Sequence, residues 1–249
     1  MTIAVCINHV PDTAVKINIG DDQKSISQTG VTYILNPYDE FAVEEALKTK
    51  EKIGSGEVVI ICVGGESSKE SIRKALSMGA DTGILIKDDK ERDSFRTAKI
   101  LADEIKSRNA QLVFMGKQSI DYDNGITGQL AAEFLGYNCI SSAVTFVLDN
   151  EKITAEREIE GGREIMETSL PAVITAQKGL NEPRYASLKG IMAAKKKVIE
   201  EKTPADYPSY VETVKLKKPE AKKAGRIIGS DVSAVSELVR LLKEEAKVI

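Results

Sequence analysis

Gly116-Lys117-Gln118-Ser119-Ile120-Asp121-Tyr122-Asp123-Asn124-Gly125-Ile126-Thr127-Gly128-Gln129 is the stretch on which the reading of the fold turns. It follows Leu112-Val113-Phe114-Met115, a continuous apolar run of strand length. It leads into Leu130-Ala131-Ala132-Glu133-Phe134-Leu135, where apolar residues recur at helical spacing. A strand, a polar loop with glycines and a helix start form the arrangement by which an α/β sheet offers backbone N–H groups to a phosphate. The loop matches neither GxGxxG nor a P-loop. Two readings therefore stay open. One is a phosphate cradle; the other is an ordinary strand-to-helix turn with Asp121, Asp123 and Asn124 as turn and cap residues.

Toward the amino terminus the same alternation repeats. Residues 2–8 read as a first strand, ended by a turn at Val10-Pro11-Asp12-Thr13, and Val15–Ile19 alternates like a short strand. Asn36-Pro37-Tyr38-Asp39 opens a helix, with Asn36 as cap and Pro37 at the first helical position, and Gly54-Ser55-Gly56 ends it. Val58–Val63 is a second strand, 68–78 a helix closed by Gly79, Gly83–Ile86 a third strand, and 94–108 another helix. Continuous apolar strands alternating with helices predict a doubly wound, mostly parallel sheet covered on both faces.

Toward the carboxyl terminus the pattern changes. Ile140–Leu148, Ile153–Ile159 and Glu164–Leu170 alternate and are separated by Asp149-Asn150 and Gly161-Gly162, which predicts an antiparallel hairpin extension. Pro171–Ala176 reads as one more central strand. From Lys189 to Arg226 eleven Lys and Arg stand against five Asp and Glu, a local charge of +6 that leaves −9 for the rest. Pro204, Pro208 and Pro219 interrupt this segment, and it is read as an extended arm. Ser230–Ser233 then caps a final helix with Val235, Leu238, Val239 and Leu242 on one face. The arm either packs on a partner or folds back on its own domain. The division expected is a nucleotide-binding α/β domain over 1–190 and an arm with helix over 191–249.

Composition excludes several classes. The net charge of −3 gives no basic field for nucleic acid, and the Lys195-Lys196-Lys197 cluster lacks interleaved aromatic residues. No apolar run approaches the roughly 20 residues that cross a bilayer. A strand beginning at Ile3 leaves no room for a signal or transit peptide, so a cytoplasmic, bacterial setting is expected. Cys6, Cys62 and Cys139 lie in or beside apolar runs without metal-ligand spacing, and His9 is the sole histidine. No metal site is expected.

Leu180-Asn181-Glu182-Pro183-Arg184-Tyr185-Ala186-Ser187-Leu188-Lys189-Gly190-Ile191-Met192-Ala193-Ala194-Lys195-Lys196-Lys197 closely resembles the signature of electron-transfer flavoprotein beta subunits. Asn36–Ala46, Ala75–Asp81, Gly116–Asp121 and Glu156–Gly162 are similar to the same family, in family order and over nearly the whole chain.

The resemblance implies an electron carrier rather than an enzyme with its own substrate chemistry. It implies an alpha-subunit partner that holds most of a redox-active FAD, and a second nucleotide, usually AMP, buried in this chain. It also implies an arm that reaches across the alpha subunit. The family's nucleotide contacts fall on Cys6, Asn36, Pro37, Tyr38, Asp39, Val63, Gly116, Lys117, Gln118, Ser119, Ile120, Asp121, Tyr122, Asp123, Asn124, Gly125, Ile126 and Thr127. Electron donors implied are flavin dehydrogenases such as acyl-CoA dehydrogenases, with a quinone oxidoreductase as acceptor. Leu188 matches a leucine that enters a pocket of partner dehydrogenases; read locally, it is equally compatible with an anchor inside its own domain. Electron-bifurcating members carry FAD in place of AMP and typically have Val-Gly-Pro where this chain has Thr127-Gly128-Gln129, which favours AMP. Pro11-Asp12-Thr13, by contrast, resembles the bifurcating group. An adenine-nucleotide-binding regulatory domain, similar to universal stress proteins that share this type of sheet, is the alternative from another class.

Overall fold

Strand β1 (Thr2–Ile7) is buried over five of its six residues and pairs in parallel on both sides, with β4 (Glu57–Gly64) and β6 (Leu112–Gly116). The computed structural model that shows this describes residues 1–221 and 224–249. β4 is flanked by β5 (Thr82–Lys87), and beyond β6 lie β10 (Ala172–Ala176) and β7 (Asn138–Asp149). β8 (Lys152–Ile159) and β9 (Gly162–Ser169) add antiparallel strands at one edge, and β11 (Ile199–Lys202) adds a parallel strand beside β5 at the other. The nine-stranded sheet is thus parallel through its centre, as the uninterrupted apolar strands require.

Side chains leave the central strands alternately for two cores. Ile3, Val5 and Ile7 join Ala42, Val43 and Leu47 of α1 (Pro37–Ile53) and Ile72 and Leu76 of α2 (Lys69–Met78). Ala4 and Cys6 join Ala98, Leu101 and Ile105 of α3 (Ser94–Ser107) and Ala131 and Ala132 of α4 (Thr127–Leu135). Helices on both faces make the sheet doubly wound, in agreement with the sequence. Both predicted hairpin turns form, with Gly161 at φ 80° and Asn150 at φ 53°.

Four local expectations fail. Val15–Ile19 is not a strand; Ile19 makes one isolated bridge to Ile26, and Ile17 is exposed, so the alternation has no surface to bury against. The predicted turn at Val10–Pro11 instead belongs to β2 (His9–Pro11), which pairs with β3 (Tyr33–Leu35). Pro11 is tolerated there because this two-stranded ribbon leaves its outer side free. Asn36 precedes α1, yet its side chain caps nothing in the helix; its partners are described below.

The arm, finally, is not extended from its start. α5 (Leu188–Lys196) is capped by Ser187 Oγ, which accepts from Gly190 N at 3.0 Å, and Ala194 is buried. Arg73 donates to the carbonyls of Ala194 and Lys197, tying the end of α5 to α2. β11 follows at once, with only Ile199 buried and Glu200 and Glu201 paired to Arg108 and to Lys69 and Lys87. An edge strand read as Ile-Glu-Glu-Lys carries too little apolar pattern to be seen in sequence. The two lysines at 222 and 223, counted in the arm's charge, lie outside the described residues. α6 (Val235–Glu244) forms as predicted and buries none of its residues.

Candidate functional site

The winding of the sheet reverses between β1 and β6, since successive strands β4 and β5 lie on one side of β1 and β6 lies on the other. Such a reversal leaves a crevice at the carboxyl ends of the strands, where α/β sheets bind ligands. A cleft of about 430 Å³ opens at this place, lined by Cys6–His9 at and beyond the end of β1, Val63 of β4, and Met115–Ser119 at and beyond the end of β6. Its volume falls within the roughly 300–1,000 Å³ of small-molecule sites.

The first turn of α1 sets the geometry. Asp39, 4% exposed, accepts from Asn8 N at 2.7 Å with one oxygen and from Gly116 N at 2.9 Å with the other. The carboxylate therefore joins the ends of the two strands that flank the crevice. Asn36 Nδ2 donates to the Gln118 carbonyl at 3.0 Å, and its Oδ1 accepts from Ile120 N at 3.3 Å. Residues three apart on a helix share a face, so the Asn-Pro-Tyr-Asp spacing brings both polar groups onto the same loop. Pro37 stands between them, at a position whose N–H has no intrahelical partner. Burial pushes the Asp39 carboxyl up to about 7, against the opposing effect of its hydrogen bonds. Burial, helped by the Asp39 charge, also holds the Cys6 thiol well above its ordinary range, so it stays protonated and is no nucleophile.

The loop after β6 is tied at several points. Lys117 N donates to Ala176 O at 2.9 Å, Gln118 Nε2 to Asp123 Oδ1 at 2.7 Å, and Asp123 N to Ser119 O at 3.0 Å. Asp121 accepts from Tyr122 N, and Asn124 Nδ2 donates to Ser94 Oγ at 3.2 Å. Both aspartates are thus engaged within the loop. Gly125, at φ 62°, turns the chain into α4, whose N-cap residue Ile126 has no side-chain acceptor for the first-turn N–H groups. Gly125, Ile126, Thr127 and Gly128 all line the cleft. A Cβ on Gly128 would collide with Thr175, so this glycine is required by the close packing of α4 on β10.

Of the residues singled out in the sequence, Cys6, Asn36, Asp39, Val63, Gly116–Ser119, Asp121, Tyr122 and Asn124–Thr127 line the cleft. Pro37, Tyr38, Ile120 and Asp123 do not line it; Tyr38 packs against Gly116, with Lys117 Nζ 5.6 Å from its ring. Leu188 does not line it. It begins α5, 79% exposed, on a loop held to α1 by Arg184, which pairs with the buried Glu44 at 2.8 Å and with Glu51 at 2.6 Å.

Sequence reading missed several contributors. Asn8 and His9 enter after β1, Lys90, Glu91, Arg92 and Asp93 from the loop after β5, Thr97 and Leu101 from α3, and Val211 and Thr213 from the arm. Arg92 donates to Val63 O at 2.9 Å and Asp88 O at 2.7 Å. The loop after β5 had a usable signal, because it follows a parallel strand and so lies at the same end of the sheet. The arm had none. Among the described residues no group of three His, Cys, Asp or Glu is placed to hold a metal. Nor is any described helix long and apolar enough to cross a membrane.

A doubly wound α/β domain with a ligand-sized cleft at its switch point is the class that the fold and site define. Residues 24–207 match the family model described as "Electron transfer flavoprotein domain". The chain is 40% identical over 253 residues to "Electron transfer flavoprotein subunit beta" of Bradyrhizobium diazoefficiens, covering both proteins completely. It is 38% identical over 260 residues to the protein of that name in Bacillus subtilis, again over both full lengths. The human protein of that name is 38% identical over 256 residues, 100% of this chain and 99% of the relative. The chain belongs to the electron-transfer flavoprotein beta-subunit family.

Proposed function

We propose that this chain is the beta subunit of a heterodimeric electron-transfer flavoprotein, an electron carrier, with AMP held structurally in the switch-point cleft. The observation that carries the nucleotide reading is the start of α4. Its first-turn N–H groups have no side-chain cap, and Gly125–Gly128 face a cleft of mononucleotide size. A phosphate is the natural acceptor for such groups, favoured further by the helix dipole. The Thr127 hydroxyl adds a donor, and Arg92, Lys90 and Lys117 stand along a lining that also holds Asp39, Glu91, Asp93 and Asp121, so the backbone N–H groups rather than a net positive charge carry the phosphate reading. Asp121 and Asp123 would order the loop through their internal bonds rather than meet the phosphate.

The same lining favours AMP over a second FAD. Thr127 and Gly128 border the cleft, whereas the Pro11-Asp12-Thr13 turn that resembles the bifurcating group lies outside it. The redox FAD would reside mainly on an alpha subunit and would supply the electron-transfer chemistry there. This chain's own contribution is to shape its surroundings and to present Leu188 to flavin dehydrogenases such as acyl-CoA dehydrogenases. A quinone oxidoreductase is the acceptor, and the cytoplasm of a bacterium the setting. In this division of labour residues 1–190 supply most of the nucleotide site, Val211 and Thr213 add to its lining, and residues 191–249 also carry the docking arm to the alpha subunit. The unburied apolar face of α6 supports a partner for the arm. Full-length family similarity favours the carrier over a universal-stress-type regulatory domain.

Visible spectra of the purified chain, alone and with its alpha partner, test the proposal. Oxidised-flavin absorption is expected only in the pair. Stoichiometric, reversibly reducible flavin in the chain alone would refute the assignment of roles.

A further inference from the structure

After β11 the arm does not leave the domain. Asp206 accepts from Lys90 Nζ at 2.8 Å and from Arg96 Nη1 at 3.2 Å. Arg96 is buried and is held on its other side by Asp88 at 3.1 Å, and it also donates to the Tyr207 carbonyl. The Tyr207 hydroxyl donates to Asp103, and Tyr210 packs edge-on against Phe95 with ring centres 4.7 Å apart.

The N-cap of α3 is the centre of this contact. Asp93 Oδ1 caps the helix through Arg96 N at 2.8 Å. Its other oxygen accepts from two arm amides, Tyr210 N at 2.6 Å and Val211 N at 3.0 Å. Thr213 N donates to Glu91 Oε1 at 3.1 Å, and farther on Leu216 N donates to the Gln23 carbonyl at 2.7 Å. A solvated linker would give its N–H groups to water; here three of them go to carboxylates beside the cleft. Between these anchors Val211 and Thr213 line the cleft itself.

We propose that Asp206–Thr213 is a strap that forms a wall of the switch-point cleft, and that its latch on Asp93 and Arg96 limits escape of a nucleoside monophosphate held there. The inference rests on the reading of the cleft as an adenine-nucleotide site. Strap closure and nucleotide retention are then two sides of one equilibrium, so each strengthens the other. The strap also explains why a proline-broken segment without core periodicity keeps defined contacts along its course.

Release of radiolabelled AMP from the full chain, chased with unlabelled AMP, reads the escape rate. The Asp206→Ala, Tyr210→Ala double variant removes latch contacts through two exposed side chains. It is expected to release AMP on the order of tenfold faster, the effect of about one lost charge-assisted hydrogen bond. Equal rates in variant and parent, both binding AMP, overturn the strap and leave the nucleotide reading standing. Failure of the parent chain to bind AMP overturns both. Hydrogen exchange on the unmodified chain gives a second test that needs no variant. Added AMP should slow exchange at the Tyr210 and Val211 amides, and unchanged exchange there with AMP bound refutes the strap.

Discussion

Asp39 Oδ1 accepts from the Gly116 amide at 2.9 Å, so a carboxylate on the first turn of α1 touches the last residue of β6. The other oxygen holds Asn8, just past β1. One side chain therefore fixes the spacing of the two strand ends between which the cleft opens. A Cβ added to Gly116 would collide with this carboxylate and come within 2.7 Å of Tyr38 Cβ.

Gly116→Ala should accordingly destabilise the domain by about 2 kcal/mol, the usual scale of overpacking at a closed site. It should also lower AMP content, because the cleft's floor must shift. Urea unfolding and nucleotide analysis of one preparation check both. Unchanged stability would show that α1 can retreat from β6 without cost.

The Asp39 carboxyl, raised to about 7 by burial, gives stability a pH dependence of definite sign. Unfolded, this group loses its proton near 4; folded, it keeps it until about 7. Across that window the native state binds the extra proton, so this group's contribution to stability falls as pH rises and levels off above 7. Asp39→Asn removes the term. The stability difference, parent minus variant, should be largest near pH 4 and shrink toward pH 8. A difference constant over that range in urea titrations would contradict the assignment.

Leu188 is 79% exposed, so the local-anchor alternative left open by the sequence has no structural support. Leu188→Ala should leave the melting temperature within a degree or so, since exposed truncations scarcely affect stability. If a dehydrogenase pocket buries this leucine, truncation costs roughly 2 kcal/mol of binding, about 30-fold in affinity. Stopped-flow reduction of the heterodimer by a partner dehydrogenase measures that loss. Normal kinetics would reject the partner role. Arg184→Ala makes a useful companion, because it frees the loop from Glu44 while leaving Leu188 in place.

Much of the fold was legible because buried parallel strands carry an uninterrupted apolar signal, as in Val58–Val63 and Leu112–Met115. Helix ends marked by Pro37, Gly54 and Gly79 were legible for the same local reasons. β11 and β2 escaped notice because they are edge strands of three or four residues, where pairing rather than composition creates the element. At the site, the loop after β6 could be read directly. Asn36 does stand at the N-cap position before Pro37, but its side-chain partners were not legible, since capping is a local rule and this side chain answers instead to a loop more than eighty residues away. Val211 and Thr213 were invisible for a related reason: the arm reaches the cleft through contacts with α3 that no periodicity announces.

The central claim, that this chain binds AMP while the working flavin belongs to its partner, is tested most directly by quantitative mass spectrometry. The sample is the set of small molecules released from the purified heterodimer. One AMP and one FAD per heterodimer is the predicted result, with AMP diminished by Gly116→Ala and FAD retained. Two FAD and no AMP, or no adenine nucleotide beyond a single FAD, would contradict it.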